Sequence, residues 1–296
     1  MGEKRFETME EFAEAVRTEF EKRIEKSAIV QKINKNNGIM LYALTVLEDE
    51  INISATIYLE PYYEVYEDTG MEYILSRLER VYEENKPEQS FDISKILDYE
   101  SIKENLRAKL INYELNKDFL KEVPHRRFLD LAIVAFLELE SYELIEGLAT
   151  ITVKDNLQKA WGVEAGDIID VALDNIKGDI TLNSMGDYID LSMFEADENL
   201  IDMYIVTNRL KLHGAVAMIQ KDRLKEFADN LKVDTLTIIP SSVHECIIIS
   251  DKDAQKDTEE LRKMVREVNE TVVSEYEILS NNVYMYCRAT DEIKIA

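Results

Sequence analysis

The sequence predicts an α+β protein with mixed, mostly antiparallel sheets and flanking helices. Segments of helical and of strand periodicity occur along the whole chain, and short turn signals separate the strands. With 46% hydrophobic residues over 296 positions, the chain is far from a disordered composition and can bury a sizeable core. Its length suits one large domain or two smaller ones.

A helix is predicted at the start of the chain. Thr8 and Glu11 have the spacing of a capping box, in which each residue caps a free backbone group at the helix start. Apolar residues then recur every four positions and form one stripe: Phe12, Val16, Phe20 and Ile24.

Three strands are predicted to follow as an antiparallel meander. Asn36-Asn37-Gly38 is a strong hairpin signal between strands at 28–34 and 39–47. Apolar and polar residues alternate over 51–59, which predicts a third strand with one buried face.

Helices are predicted to dominate the middle of the chain. Pro61 begins a tyrosine-rich helix that breaks at Gly70, and a second helix is expected over 71–84. Ile102, Leu106, Leu110 and Tyr113 lie in helical phase and predict a helix over 99–113. Further expected elements are strands at 128–138 and 146–153 and helices at 156–160 and 167–176.

The last third is predicted to alternate strands with two helices. Residues 178–202 are expected to be irregular and acidic, and form the predicted boundary between an N-terminal part, 1–177, and a C-terminal part, 203–296. One continuous domain is the alternative. The expected strands are 203–207, 215–219, 236–239, 245–250, 283–288 and 292–295, and the helices 222–231 and 257–272.

The charge distribution gives the main functional hypothesis. Of the net charge of -25, nearly all lies in residues 41–100 and 138–202, where acids far outnumber bases. Such a chain repels nucleic acid and anionic membranes and suits a basic protein partner. We expect a non-enzymatic interaction protein, in one version a nucleic-acid mimic that blocks a nucleic-acid-binding protein in counter-defence. The candidate binding acids are Glu48, Asp49, Glu50, Glu64, Glu67, Asp68, Asp187, Asp190 and Glu195.

Other features point to a cytoplasmic protein without a cofactor or metal. No apolar run is long enough to span a membrane, and the charged first residues lack a secretion signal. Cys246 and Cys287 are expected to be reduced and unpaired. Cysteines and histidines show no zinc spacing.

Ser242, His244 and Glu245 are the catalytic candidates, and a hydrolase-like enzyme is the alternative function. A serine near a histidine and a carboxylate invites a nucleophile, but side chains alternate along a strand and the three would not converge automatically. No Gly-x-Ser-x-Gly turn is present. We therefore also consider a loop histidine with a purely structural role, and the same role for His213.

His125, Arg126 and Arg127 form a basic cluster in an acidic chain. Arginine can clamp a phosphate or carboxylate with two parallel hydrogen bonds, and the enzyme hypothesis would use this cluster with the 240–246 loop. The alternative is internal pairing with the chain's own acids, with Asp130 as one expected partner. Tyr62, Tyr63 and Tyr66 form either a protein-binding surface or part of the core.

Several short motifs occur in a fixed order along the chain: Asn36-Asn37-Gly38, Val123-Pro124-His125-Arg126-Arg127-Phe128-Leu129-Asp130, Trp161-Gly162-Val163, Pro240-Ser241-Ser242-Val243-His244-Glu245 and Met264-Val265-Arg266-Glu267-Val268-Asn269. Together they resemble a domain of unknown function, DUF5688, which is abundant in gut clostridia. The resemblance covers nearly the whole chain and implies an α+β, cytoplasmic bacterial protein from a mobile-element neighbourhood, but it supplies no catalytic residues. The part from Trp161 onward is also weakly similar to DUF1444.

Overall fold

The computed structural model describes residues 5–87, 90, 92–139, 149–187, 203–250 and 258–296. Helices and three antiparallel sheets within these ranges confirm the predicted α+β class. The helices are α1 (Met9–Ile24), α2 (Glu60–Asn85), α3 (Ser94–Leu97), α4 (Tyr99–Ile102), α5 (Asp155–Trp161), α6 (Ala165–Asn175), α7 (Lys221–Leu231) and α8 (Thr258–Thr271). The strands are β1 (Ala28–Asn34), β2 (Met40–Val46), β3 (Thr56–Tyr58), β4 (Leu106–Asn112), β5 (His125–Phe128), β6 (Leu131–Leu139), β7 (Ala149–Thr152), β8 (Ile180–Ser184), β9 (Met203–Asn208), β10 (Thr235–Pro240), β11 (Cys246–Ser250), β12 (Tyr284–Cys287) and β13 (Glu292–Ile295).

The chain divides into two compact units. The first contains Met1–Lys35, Ile39–Ile96 and Leu139–Thr150, and the second contains Asn36–Gly38, Leu97–Glu138 and Ile151–Ala296. This division does not coincide with the boundary predicted near 178–202. One reason is that β8, inside that segment, pairs with β9 in a sheet of the second unit. Residues 188–202 lie outside the described ranges.

The first unit packs α1 and α2 with the sheet β1-β2-β3. The Thr8 hydroxyl accepts a hydrogen bond from the Glu11 N–H, so the predicted cap is present. Asn36–Gly38 forms the turn between β1 and β2, as predicted. The predicted third strand is much shorter than expected, because only Thr56–Tyr58 pairs with β2. The shared core is built by Phe12, Val16, Phe20, Leu44, Val46, Ile57, Ile74 and Leu78.

A sharp bend divides α2 at the predicted position. Gly70 has φ 78° and ψ 167°, a conformation that side chains with a Cβ strongly disfavour. Around the bend, Tyr66 is buried against Phe6 and Phe12, while Tyr62 and Tyr63 are partly buried. The tyrosine-rich segment therefore contributes to the core, which was one of its two predicted roles.

The second unit contains two sheets. One has the strand order β13-β12-β10-β11-β9-β8, and in the other β6 pairs with β4, β5 and β7. The amphipathic α8 buries Leu261 and Val265 in a cluster with Ile239, Ile249 and Val283. The closing hairpin β12–β13 is present as predicted.

Two predictions in the second unit are wrong. The segment predicted as a helix over 99–113 forms only the short α4 before β4, because residues 106, 108 and 110 also alternate and pair along β6. Residues predicted as a strand at 215–219 lie in the 3-10 helix Gly214–Ile219, all but one of them fully enclosed. A short continuous apolar run cannot distinguish a strand from a buried helical segment.

Within the described ranges, none of the helices is long and apolar enough to cross a membrane.

Candidate functional site

The loop between β10 and β11 carries the predicted catalytic candidates, and its histidine is fully engaged. The backbone N–H of His213 donates to His244 Nδ1 at 3.2 Å, and His244 Nε2 lies 3.5 Å from Glu277 Oε1. The tautomer that fits both contacts carries its proton on Nε2, because Nδ1 accepts. No lone pair of His244 is then left to take a proton from a serine.

The other two candidates do not converge on this ring. The Ser242 hydroxyl accepts a hydrogen bond from the backbone N–H of His244 at 3.0 Å. The carboxylate facing the ring belongs to Glu277, while the backbone carbonyl of Glu245 accepts bonds from Ser241 and Ser242. The loop is therefore a closed turn, and no nucleophile–base pair is assembled in it.

Cys246 begins the next strand and offers no nucleophile. Burial raises the pKa of its thiol well above the ordinary value, and its sulfur contacts the carbonyl of Ala215 and the sulfur of Met218. A reactive cysteine needs the opposite environment, one that stabilises the thiolate. Both Cys246 and Cys287 are free thiols.

A stack of two histidine rings completes this region. The rings of His213 and His244 lie nearly parallel, with centroids 5.6 Å apart, and Phe136 meets His213 edge-on at 5.4 Å. Gly214 allows this close approach, because a Cβ there would lie 2.6 Å from the carbonyl oxygen of His244. No local sequence pattern links His213 to His244, because 31 residues separate the two.

The basic cluster on β5 is used internally. Arg126 pairs with Asp170 at 2.7 Å and holds the pKa of that carboxyl below its usual value. Arg127 donates to the carbonyl of Leu129 and lies over the ring of Tyr113. His125 Nδ1 lies 2.8 Å from the carbonyl oxygen of Val123. The cluster shares no hydrogen bond or ion pair with described residues of the 240–246 loop.

Asp130, the expected partner of the basic cluster, belongs to a different network. One of its carboxylate oxygens accepts bonds from Ser280 at 2.7 Å and Asn282 at 3.0 Å. The other accepts from the Tyr284 hydroxyl at 2.8 Å. Burial, and then the charge of Asp130, raise the pKa of Tyr284, so its hydroxyl stays a donor. The prediction that Asp130 pairs with an arginine is wrong.

In the first unit, Glu48 is structural rather than an exposed acid. Its side chain is 8% exposed, with an oxygen 2.6 Å from Lys26 Nζ and a close hydrogen bond from the Tyr82 hydroxyl. Burial opposes its ionisation, but Lys26 and Tyr82 outweigh this and lower its pKa. The neighbouring Asp49 and Glu50 are exposed, as predicted. The three acids therefore do not act as one surface.

The acids on the first half of α2 do reach the surface. Glu64, Glu67 and Asp68 are exposed, and their spacing places them on one helical face. Glu67 pairs with the exposed Arg5, whereas Glu64 and Asp68 form no ion pair with another described residue. We call these three residues the α2 acidic face. From the second block, Asp187 ends a 3-10 turn, and Asp190 and Glu195 lie outside the described residues.

A groove in the first unit, about 690 Å³ in volume, has no counterpart in the sequence predictions. Strand β3 forms one wall of the groove, and the two halves of α2 form the other. It exposes Val65 and Tyr73, at 40% and 47%, and Arg77 is the one charged residue among the described residues that line it. These described residues are Ala55, Thr56, Ile57, Tyr58, Pro61, Tyr62, Val65, Tyr73, Arg77, Val81 and Asn85.

Within the described ranges, no group of three His, Cys, Asp or Glu side chains is placed to hold a metal ion. In the loop between β10 and β11, which we call the histidine loop, the ring nitrogens of His244 and the Ser242 hydroxyl have partners in the chain. Glu64, Asp68 and Arg77 are exposed and form no ion pair with a described residue.

The comparisons with known proteins identify a family without an assigned activity. Neither the search of curated proteins nor that of solved structures gave a significant match. A family model described as a family of unknown function, DUF5688, matches residues 9–288. Because this match spans nearly the whole sequence, the chain belongs to the DUF5688 family.

Proposed function

We propose that this protein is a non-enzymatic interaction protein of the cytoplasm that binds a basic protein partner through the α2 acidic face. The observation that carries the proposal is that Glu64 and Asp68 lie one turn apart on the same face of α2 and are both exposed. Neither forms an ion pair with a described residue. Like charges four residues apart destabilise a helix by about 0.2–0.5 kcal/mol. A basic partner would remove that repulsion.

Two further points support binding over catalysis. The helix dipole favours acids only in the first turn, so it does not account for Glu67 and Asp68. The hydrolase alternative requires His244 as a base, and both nitrogens of that ring are engaged. It also requires His125, Arg126 and Arg127 near the loop, and these residues have their own partners on and around β5.

The test is a salt-dependent capture experiment on the full chain. Wild-type protein is expected to retain basic proteins from a bacterial lysate at low salt and release them at high salt, since exposed ion pairs are screened within about 8–10 Å. Reversal of Glu64, Glu67 and Asp68 to Lys should abolish retention. Reversal of Glu260, Glu267 and Glu270 on α8 makes the same change in net charge and should not.

Loss of retention in both triple variants would attribute the effect to net charge and refute a localised face. Duplex DNA or RNA added to the captured complex tests the finer version of the proposal. Displacement of the partner by nucleic acid would support a mimic, because both would compete for one basic surface. A partner that stays bound would leave a basic-protein binder without mimicry.

A further inference from the structure

The groove of the first unit is bordered by an open sheet edge. Ala55, Ile57 and Leu59 direct their backbone groups toward β2. Antiparallel pairing alternates, so the N–H and C=O groups of Thr56 and Tyr58 point the other way, out of the sheet. Within the described ranges β3 has no strand on that side. Both residues line the groove, so its wall presents unpaired backbone donors and acceptors.

The opposite wall is a stripe along the second half of α2. Tyr73, Arg77, Val81 and Asn85 follow one another at four-residue intervals, so they lie in one row. At 1.5 Å per residue this row is about 18 Å long. An extended chain rises about 3.3 Å per residue, so the groove has room for about five residues of a strand.

Arg77 gives the groove its charge preference. The other described arginines of the first unit, which are Arg5, Arg17, Arg23 and Arg80, each pair with a glutamate. Arg77 has no ion pair with a described residue, although acids surround it in the sequence. In the row it lies between Tyr73 and Val81, so its side chain starts midway along that wall of the groove. Burial raises the pKa of the neighbouring Tyr62, whose hydroxyl therefore remains a donor.

We propose that this groove binds an extended peptide segment of a protein partner by strand addition to β3, with an internal Asp or Glu side chain of that segment paired to Arg77. The open edge accounts for an extended backbone, and main-chain hydrogen bonds give affinity in this mode of recognition. Val65, Tyr73 and Val81 would contact apolar side chains on either side of the carboxylate. An arginine midway along the groove suits an internal acidic side chain better than a chain terminus.

This inference goes beyond the proposed function, because none of its residues belongs to the α2 acidic face. Its failure and that of the basic-partner proposal are therefore separate results. A peptide can bind the groove in a chain that captures no basic protein, and capture can occur while the groove stays empty.

The probe is a phage-displayed library of random dodecapeptides selected on the full chain. Enriched sequences are expected to alternate apolar residues around one Asp or Glu. For a synthetic peptide of that sequence, Arg77→Gln should weaken binding at least about tenfold, as expected for a lost charge-assisted bond. Exchange of the peptide's acid for its amide should cost as much on the wild type and little on Arg77→Gln.

The strand-addition part is tested with a matched pair at Thr56. Thr56→Pro removes the outward N–H together with the hydroxyl and should abolish binding, while the strand itself should survive because proline is tolerated at an edge strand on that side. Thr56→Val also loses the hydroxyl that contacts Thr45, yet keeps the N–H and should bind normally. Circular dichroism checks that each variant is folded. Methylation of alternate peptide amides tests the same bonds on unaltered protein, and only one of the two alternations should prevent binding.

Three outcomes would overturn the inference. One is an absence of enriched peptides, and another is binding that is indifferent to Arg77→Gln and to amide methylation. The third is a wild-type chain that sediments as a dimer while Thr56→Pro sediments as a monomer, which would assign the edge to a second copy of this chain.

Discussion

The groove of the first unit and the histidine loop of the second differ in how completely their polar groups are satisfied. Both ring nitrogens of His244, its carbonyl oxygen and the Ser242 hydroxyl have partners in the chain. Along the groove, the outward backbone groups of β3 and the Arg77 guanidinium find none among the described residues. Buried polar groups without partners are costly, whereas exposed ones stay hydrated until a ligand replaces the water. Residues of catalytic type that are neighbours in sequence, such as Ser242, His244 and Glu245, are therefore weaker evidence for a site than unpaired polar groups that face the same groove.

The largest loss of stability is expected for Gly214→Ala, because Gly214 packs against the backbone of the histidine loop. In Gly214→Ala the new Cβ would lie 2.6 Å from both the Asn208 nitrogen and the His244 oxygen, so the backbone must move. We expect a loss of about 3 kcal/mol in unfolding free energy, at the upper end for overpacking. Trp161, the single tryptophan, lies in the second unit, and its fluorescence during urea unfolding reports the change.

Gly178→Ala is the matched control for that substitution. No heavy atom lies within 4 Å of the Cβ position at Gly178, and the backbone there does not require glycine. Its urea midpoint should stay close to the wild-type value. Equal midpoints for Gly214→Ala and the wild type would mean that the loop is loose, and the contrast with the groove would fail.

Glu48→Ala should destabilise the first unit by about 2 kcal/mol, because it leaves Lys26 and the Tyr82 hydroxyl without their shared partner. The effect depends on pH in a defined direction. A carboxyl with a lowered folded pKa contributes its stability above the unfolded value of 4.5, and this is lost as the pH falls through the lower, folded value. Glu48→Gln removes the charge and isolates this pH-dependent part. Thermal unfolding followed by circular dichroism should give it a lower melting temperature than the wild type at pH 7.

This difference in melting temperature should shrink as the pH falls below 4.5 and disappear once the pH is below the lowered, folded-state pKa of Glu48, where the carboxyl is protonated in both states. Lys26 has a raised pKa, so its share of stability is present below 10.5 and lost only at higher pH. A difference in melting temperature between the wild type and Glu48→Gln that does not change as the pH is lowered would mean that Glu48 contributes through packing and not through its charge.

His244→Ala should cost about 1–2 kcal/mol in the second unit, because the His213 N–H and Glu277 lose their partner. His244→Asn can still offer an acceptor near the position of Nδ1 and should recover part of that loss. Urea unfolding followed by Trp161 fluorescence compares the two. If His244→Ala kept full stability but abolished a biological activity of the chain, the catalytic interpretation of the loop would replace the structural one.

The smallest effect on stability is expected for a substitution in the groove. Arg77→Gln should change unfolding free energy by less than about 0.5 kcal/mol, as is usual for exposed residues without intramolecular partners. Arg23→Gln is the contrasting variant, since Arg23 pairs with both Glu72 and Glu79, and it should lower the melting temperature more. Equal melting temperatures for the two variants would show that ion pairing does not distinguish them.

Local signals in the sequence predicted much of the first unit and little of the candidate site. The Thr8 cap, the Asn36–Gly38 turn and the bend at Gly70 each depend on neighbouring residues, and each was predicted. The groove depends on where β3 ends and on which carboxylates reach which arginines. Those facts involve residues far apart in sequence, such as Arg23 and Glu79, and no local pattern contains them.

The sequence by itself determined the α+β class, the family, the amphipathic helices and the concentration of acid in two blocks, because periodicity and composition are properties of short segments. Tertiary structure decided the rest. It paired residues 106–112 with β6 as a strand, turned Glu48 inward to Lys26, engaged both nitrogens of His244, and left Arg77 exposed beside an open edge. The physical reason is that a polar group's partner, and therefore its availability to a ligand, is set by long-range contacts that only the folded chain makes.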